Sequence, residues 1–394
     1  MYRHNAGFTS IPFPTPPAAC SAGRSRWQML LASGLSLVAL IFPAAIEAQV
    51  ALPNYAEMGI EALLNIEVIS AVKRQEPLFR SPSAIFVITQ EDIRRSGASN
   101  IPDLLRMVPG LQVAQVDAYG WAISVRGFAE RYANKLLVLI DGRTVYDPLF
   151  AGVHWDVQNL LLEDVERIEV VRGPGATLWG ANAVNGVINI LTRSSQETQG
   201  GMIAASSGSI EPARVHARYG GTLGSAATYR ISGNYFRRDH SVDAAREPIA
   251  DAWQAGSLGF RADWFATPKD SVLFQTGVQV RGADESLLLP VLTPPFQTLS
   301  VSRQQHRTGN ALVRWTRRQR PDSEWSLQAY YDLLDFHSQA LEEHLHTVDL
   351  DFQHQFRLSE RHQWFWGLCY RLIMEEFRGS FLIAIEEEAE QQFS

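Results

Sequence analysis

The stretch Glu166-Arg-Ile-Glu-Val-Val-Arg-Gly-Pro-Gly-Ala-Thr-Leu-Trp-Gly-Ala-Asn-Ala-Val-Asn-Gly-Val-Ile-Asn-Ile-Leu-Thr192 decides how this chain is read. Ile168 to Val171 and Val187 to Leu191 are β-branched runs and predict two strands. Between them Gly173, Pro174, Gly180, Asn182, Asn185 and Gly186 predict a tight, irregular turn with little tolerance for substitution. Gly173-Pro-Gly175 lacks the third glycine and the helix of a dinucleotide site, and no Gly-Lys-Ser/Thr follows it to cradle phosphate, so nucleotide binding is rejected.

Upstream, Gln90 to Ser96 reads as a short helix. Ile101 to Met107 reads as a second helix, capped by Asn100 and stopped by Pro109-Gly110. Leu136 to Ile140 is a continuous apolar run of buried-strand length that ends in Asp141-Gly142. The alternation of strand and helix predicts a small α+β unit.

The ordered segments Ile85-Phe-Val-Ile-Thr-Gln-Glu-Asp-Ile-Arg-Arg-Ser-Gly97, Leu104-Leu-Arg-Met-Val-Pro-Gly-Leu-Gln-Val113, Ile123-Ser-Val-Arg-Gly-Phe128 and Leu137-Val-Leu-Ile-Asp-Gly142, with Val145-Tyr-Asp147 and the opening stretch, resemble the plug domain of TonB-dependent outer-membrane receptors. The resemblance runs from Pro82 to Arg193 without a gap. It implies an α+β plug domain followed by an antiparallel transmembrane β-barrel, which in that family has about 22 strands. The expected organisation is a signal peptide with a long leader at 1–48, a periplasmic arm at 49–80, the plug at 81–193 and the first part of the barrel at 200–394. The expected location is the outer membrane of a Gram-negative bacterium.

The leader fits export. Arg24 and Arg26 precede the apolar run Met29 to Phe42 and a small-residue site ending at Ala48. That run is shorter than the ~20 residues a spanning helix needs. In the arm, Ile66, Glu67, Val68, Ile69 and Ser70 are β-prone and suited to pairing with a partner's sheet edge. The resemblance makes this pentad the TonB box, pulled by TonB with the ExbB and ExbD inner-membrane complex. The other reading is a short element packed on the plug.

Within the plug motif, Arg126, Gly127, Asp141, Gly142, Glu166, Glu169, Arg172, Gly173, Pro174, Gly180, Asn182, Asn185 and Gly186 are the expected turn and lock residues. Arg126 and Arg172 suit paired hydrogen bonds to carboxylates such as Glu166 or Glu169. Arg126 is also a candidate for touching an anionic ligand. Tyr146, Phe150, His154 and Trp155 lie in an aromatic, irregular stretch and are further candidates for ligand contact, the alternative being packing against the barrel interior.

From Gly200 onward, alternation replaces continuous apolar runs. Tyr229, Ile231 and Tyr235 share one face and Arg230, Ser232 and Asn234 the other. Trp325, Leu327, Ala329, Tyr331 and Leu333 repeat the pattern. Apolar residues facing lipid and polar residues facing a wet lumen are the pattern of membrane strands, of which about nine or ten are countable. The segments 239–253 and 283–303 read as extracellular loops. Ten strands would close to a diameter of about 20 Å, too narrow for a plug about 35 Å across. The sequence is therefore expected to be truncated or incomplete, and not a transporter by itself.

Composition narrows the function further. The net charge of −7, from 42 acidic and 35 basic residues, argues against nucleic-acid binding. Cys20 lies in the leader and Cys369 is alone beyond it, so no internal disulfide forms. No Ser/His/Asp set or metal-spaced carboxylates mark a catalytic site, and no cofactor is expected. His337, His344, His346 and His354 lack metal-ligand spacing, so no metal site is assigned. The expected function is TonB-dependent import of a scarce large nutrient, a ferric siderophore or a cobalamin-like ligand. Its partners would be TonB, outer-membrane lipid and an extracellular small molecule such as a metal chelate. The alternative is a non-transporting receptor or signalling module, or a non-functional truncated product.

Overall fold

The computed structural model describes residues 83–127, 130–180 and 182–380, and the strand segments β1 (Glu67–Val68), β2 (Glu76–Pro77) and β19 (Glu390–Phe393). The leader, and Ile66, Ile69 and Ser70 of the arm pentad, lie outside the described residues. Glu67 and Val68 pair antiparallel with Pro77 and Glu76.

The plug is built on a five-stranded sheet in the order β3 (Ile85–Thr89), β8 (Val165–Val171), β9 (Gly186–Thr192), β6 (Leu136–Ile140) and β7 (Arg143–Thr144). Beside it lies a hairpin of β4 (Leu111–Gln115) and β5 (Trp121–Val125). The apolar run of β6 is continuous because both its faces are covered. Leu136, Val138 and Ile140 join Ile168, Val170, Ile188 and Ile190 in the main core. Leu137 and Leu139 pack with Val171, Ala183 and Val187 on the other side.

Helix α1 (Gln90–Ser96) has the predicted boundaries, and its ends show why. The Thr89 hydroxyl accepts from Asp92 N at 3.2 Å, the Asp92 carboxylate accepts from Thr89 N at 2.9 Å, and Gly97 at φ 69° stops the helix. Helix α2 (Ile101–Leu105) is two residues shorter than the sequence suggests. Beyond it Met107 N and Val108 N donate to Leu104 and Leu105 carbonyls three residues back, so the chain tightens into turns ahead of Pro109. Ile93, Ile101, Leu104 and Leu105 carry both helices onto the main core. A third helical turn, α3 (Ala176–Trp179), lies inside the glycine-rich loop.

Gly186, the first residue of β9, leaves no room for a side chain: a Cβ there would lie 2.5 Å from the Val171 carbonyl oxygen. Gly186→Ala should force β8 and β9 apart and cost about 1–3 kcal/mol. Urea unfolding of the detergent-solubilised protein, followed by tryptophan fluorescence, measures it.

The rest of the chain is a ten-stranded antiparallel meander. Its strands are β10 (Gly200–Ser206), β11 (Ala213–Leu223), β12 (Ala227–Arg238), β13 (Trp253–Thr267), β14 (Asp270–Pro290), β15 (Gln297–Arg320), β16 (Ser323–His337), β17 (Leu341–Ser359) and β18 (His362–Gly379), closing on β19. Each pairs with its sequence neighbours, and among the described residues β10 and β19 have one neighbour each.

The predicted alternation holds. Ile231, Leu258, Val278, Tyr331, Leu350 and Leu368 stand exposed on one face, while Arg230, Arg261, Gln279, Arg281, His306 and Gln328 are buried on the other. Connections at one end are short, at 224–226, 268–269, 321–322 and 360–361. The other end carries the longer ones, including 239–252. In membrane barrels these are the periplasmic and extracellular ends.

The segment 283–303 is not the loop expected from sequence. Strand pairing continues from Asp284↔Arg303 to Pro290↔Gln297, leaving only 291–296 as the turn. Strands of 21 and 24 residues exceed the ~9–11 needed to span a bilayer, so this hairpin stands well clear of it.

Candidate functional site

The buried face of the wall holds the plug through many charged and polar contacts, beside two apolar patches, Ala118 and Tyr119 against Phe236 and Trp253, and Leu149 and Phe150 against Phe336, Leu341 and Phe377. Asp164, at the start of β8, receives Arg218 Nη1 at 2.5 Å and Arg230 Nε at 3.2 Å. Arg230 Nη1 also donates to the Arg193 carbonyl at 2.8 Å. Arg143 Nη1 meets Asp332 at 3.0 Å, and Arg371 Nη2 donates to the Thr144 hydroxyl at 3.1 Å. Ser195 donates N–H and O–H to Asp263, at 2.7 and 2.6 Å, where the plug passes into the wall.

Asp141-Gly142 is a turn, as its sequence suggests, and also a wall contact. The Asp141 carboxylate accepts from Thr192 N at 2.9 Å and Thr192 Oγ1 at 2.7 Å, and from Gln275 of β14 at 3.0 Å. Its carbonyl accepts from Arg314. Gly142 has φ 83°, a backbone conformation that favours glycine, and a Cβ there would also crowd Arg314 Nη2 at 2.7 Å.

Asp156 sits in the densest of these contacts. Arg281 Nε lies 3.0 Å from Asp156 Oδ2, His306 Nδ1 3.2 Å from the same oxygen, and His154 Nδ1 4.0 Å from Oδ1. Burial alone would raise the Asp156 carboxyl. The Arg281 charge and the His306 hydrogen bond outweigh it and hold the group well below the usual carboxylate range. The ligand atoms of His154, Asp156 and His306 lie within 4.8 Å of one another. The fully buried Arg281 already supplies the cation that the carboxylate needs, and the cluster reads as a plug-to-wall ion pair.

Two crevices of ≈ 160 and ≈ 90 Å³ separate plug from wall, the first lined by Asp141, Asp164, Arg230, Arg261 and Gln275, the second by Tyr146, Asp147, Asn182, Asp332 and Arg371. Arg143, Val157, Gln158, Thr308 and Asn310 line both. Volumes of this size and polarity hold water.

At the extracellular end the plug meets the wall through aromatic side chains. The Phe150 ring lies 4.8 Å from Tyr132, 5.0 Å from His154 and 6.1 Å from Phe336. Arg281 stands 4.2 Å over Tyr119, and Arg131, paired with Asp117 at 3.0 Å, lies 5.8 Å over Tyr132. Burial pushes the Tyr119 phenol up to about 12, with the Asp117 charge adding to it, and raises Tyr132 as well, so both rings stay neutral.

Of the candidates for ligand contact, Tyr146 and Phe150 are half-buried, whereas His154 and Trp155 are 5 % and 7 % exposed. The His154 ring turns inward because its Nε2 lies 2.8 Å from Asp147. Arg126 is exposed and at φ 60°.

The arginine pairing expected from sequence is replaced by another. Arg126 Nη2 donates to the Arg172 carbonyl at 3.3 Å, and Arg172 Nη1 to the Pro109 carbonyl at 3.0 Å. Glu166 and the fully buried Glu169 are both engaged by Arg167, the latter at 2.8 Å. The physical reason is register: Arg167 and Glu169 are two apart on β8 and share a face. The rest of the motif shapes the turn. Asn182 and Gly180 take positive φ, as does Gly127 at φ 90°. Asn185 Nδ2 donates to the Val125 carbonyl at 3.2 Å, fixing the turn to β5. Gly173 and Pro174 precede α3 and are half-buried and exposed.

Residues 77–187 match the family model described as TonB-dependent Receptor Plug Domain. The chain is 33% identical over 144 residues to the vitamin B12 transporter BtuB of Vibrio vulnificus, covering 36% of this chain and 23% of that protein. To BtuB of Vibrio cholerae it is 29% identical over 199 residues, covering 50% and 31%. In fold it is similar to the siderophore receptor PirA of Pseudomonas aeruginosa, with TM-score 0.55 at 21% identity over 76% of this chain and 49% of that one. It is also similar to pyoverdine-bound FpvA of P. aeruginosa, with TM-score 0.61 at 14% identity over 79% and 44%. The matches span less than a third of these BtuB proteins and about half of each solved receptor. A plug docked inside an open antiparallel wall, with these matches, defines the plug-and-barrel class of fold. Residues 77–187 of the chain are a TonB-dependent receptor plug domain, followed by ten strands of antiparallel wall.

Proposed function

We propose that this protein serves TonB-dependent import of a scarce nutrient too large for open pores, a ferric siderophore or a cobalamin-like ligand. The observation that carries the proposal is how the plug is held. Ion pairs around Asp156, Asp164 and Arg143, beside wet crevices, can be exchanged for water one by one under force. A large dry interface would have to expose apolar surface all at once. The names of the BtuB and PirA relatives support the ligand classes.

In this reading Tyr146 and Phe150, with Tyr119 and Tyr132 beside them, form the aromatic floor that a ligand meets from outside. His154 and Trp155 support that floor from below, and Arg126 belongs to the turn around Gly173. Ile66 to Ser70 is the TonB box, its Glu67 and Val68 resting on Glu76 and Pro77 until TonB, driven by ExbB and ExbD, takes the strand.

Val68→Pro removes a backbone donor from the pentad, at a residue that is fully buried, and should reduce uptake of labelled cobalamin or ferric siderophore by at least about tenfold while leaving surface binding intact. Unchanged uptake in cells that produce the variant from the native locus would refute the TonB-box assignment. Uptake that persists in cells lacking TonB would refute the import reading itself.

A further inference from the structure

The inward face of the wall carries one acid that the ion pairs described above leave unanswered. Phe336, Glu343 and Phe377 stand directly opposite one another across β16, β17 and β18, and so share that face. Leu341 and Leu345 flank Glu343 along β17 and are buried with it. Leu149 and Phe150 of the plug close over Phe336, Leu341 and Phe377. Glu343 is thus fully buried in an apolar patch, and among the described residues neither of its carboxylate oxygens receives a hydrogen bond. On the outward face Glu342 and His344 flank it, and the exposed apolar residues of β17 begin only at Val348 and Leu350. This corner therefore stands at the extracellular rim, beyond the hydrocarbon.

What lies against Glu343 is a second acid. The buried Asp147 of the plug is within hydrogen-bond reach of it, and Glu375, opposite Leu345 on β18, also faces it. Asp147 is already served by donors: its carboxylate accepts from Phe150 N at 3.1 Å and lies 2.8 Å from His154 Nε2. The remaining titratable group beside the patch is His306 of β15, whose ring packs 4.3 Å from Phe336 and whose Nδ1 is taken by Asp156. Among the described residues no cation reaches Glu343. Two carboxylates side by side in a dry site do not both ionise, and the proton goes to the one that lacks donors.

We propose that Glu343 holds a proton at neutral pH and donates it to Asp147, so that a neutral acid and a carboxylate latch the plug to the wall at its extracellular corner. The loop so fastened is closed by the Asp147 and Gly152 backbones, which exchange hydrogen bonds of 2.8 and 3.1 Å, and it carries Phe150. Undocking takes Glu343 into water, where a glutamic acid ionises near pH ~4.3, and its proton leaves to the medium. From about pH 5 up to the pH at which the docked acid ionises, opening releases one proton. Docking therefore strengthens about tenfold for each unit of acidification across that window, and the gain is lost as the pH rises.

The test needs neither ligand nor TonB, so its failure and the failure of the import reading are distinguishable. Hydrogen exchange of the Asp147 and Gly152 amides is followed in the detergent-solubilised protein at about pH 5.5 and about pH 7.5, each rate divided by the intrinsic rate at that pH. Protection in the unaltered protein should be at least about tenfold greater at the lower pH. Glu343→Gln keeps the shape and offers Asp147 an amide donor. It should abolish the pH dependence and, at the higher pH, give at least about tenfold more protection than the unaltered protein has. Unchanged exchange of the β8 amides reports that the variant is folded, and the pH series on the unaltered protein needs no variant. Protection in the unaltered protein that is the same at both pH values would overturn the proposal. So would a pH dependence that survives Glu343→Gln, which would belong to His154. A fall in protection on adding a metal chelator would also overturn it, by placing a cation between the two acids.

Discussion

Asp164→Ala should loosen the plug from the wall. The carboxylate is buried, and it is the charge partner of both Arg218 and Arg230. Its removal leaves two guanidinium groups, 12% and 7% exposed, facing each other with no anion between them. Breaking a buried pair from one side costs about 3–5 kcal/mol. The ≈ 160 Å³ crevice that Asp164 and Arg230 line lets water in to soften that cost, so the lower end, about 3 kcal/mol, is expected. Since each ~1.4 kcal/mol is a factor of ten, hydrogen exchange of the β8 amides should accelerate roughly hundredfold where it proceeds through undocking. The backbone bond from Arg193 N to the Asp164 carbonyl is untouched, so β8 should keep its register.

The second large effect is on activity and runs the other way for stability. Replacing the Asp156 cluster by apolar residues, Asp156→Leu with Arg281→Met and His306→Leu, removes the charges together instead of orphaning one. Such replacements are neutral or stabilising by about 1–4 kcal/mol in other buried triads. The plug should therefore stay docked, with unfolding in urea at or above the concentration that unfolds the unaltered protein. Uptake should fall at least about tenfold, because the plug would then have to expose a dry seam before it moved. Normal uptake by this variant would remove the functional reason for the charged seam.

Much of the plug was legible because its signals are local. The capping box at Thr89 and Asp92, the Asn100 cap and the five-residue run of β6 each carry their reason within a few positions of sequence. The strand alternation of the wall was equally plain at Tyr229 to Tyr235 and Trp325 to Leu333.

The lock was not legible. Nothing near Arg281 in sequence says that its partner is Asp156, or near Arg230 that it is Asp164, because inward positions on a long strand look alike until register is fixed. The fitness of the Arg126 and Arg172 guanidinium groups for paired hydrogen bonds to Glu166 or Glu169 suggested the wrong pairing. Arg167, two residues from Glu169 on the same strand face, was overlooked as the nearer partner. The 283–303 segment misled for a related reason: Leu287 to Leu289 and the proline-rich tip look like loop, yet cross-strand pairing carries the ladder almost to Pro290.

The central claim is that discrete charge pairs hold the plug on the wall. A double-mutant cycle between Asp164→Ala and Arg230→Ala, read by hydrogen exchange of β8 in the detergent-solubilised protein, tests it most directly. A coupling of about 1.5 kcal/mol or more is the predicted result. Additive effects, with a coupling inside the ~0.5 kcal/mol expected of independent sites, would contradict the account.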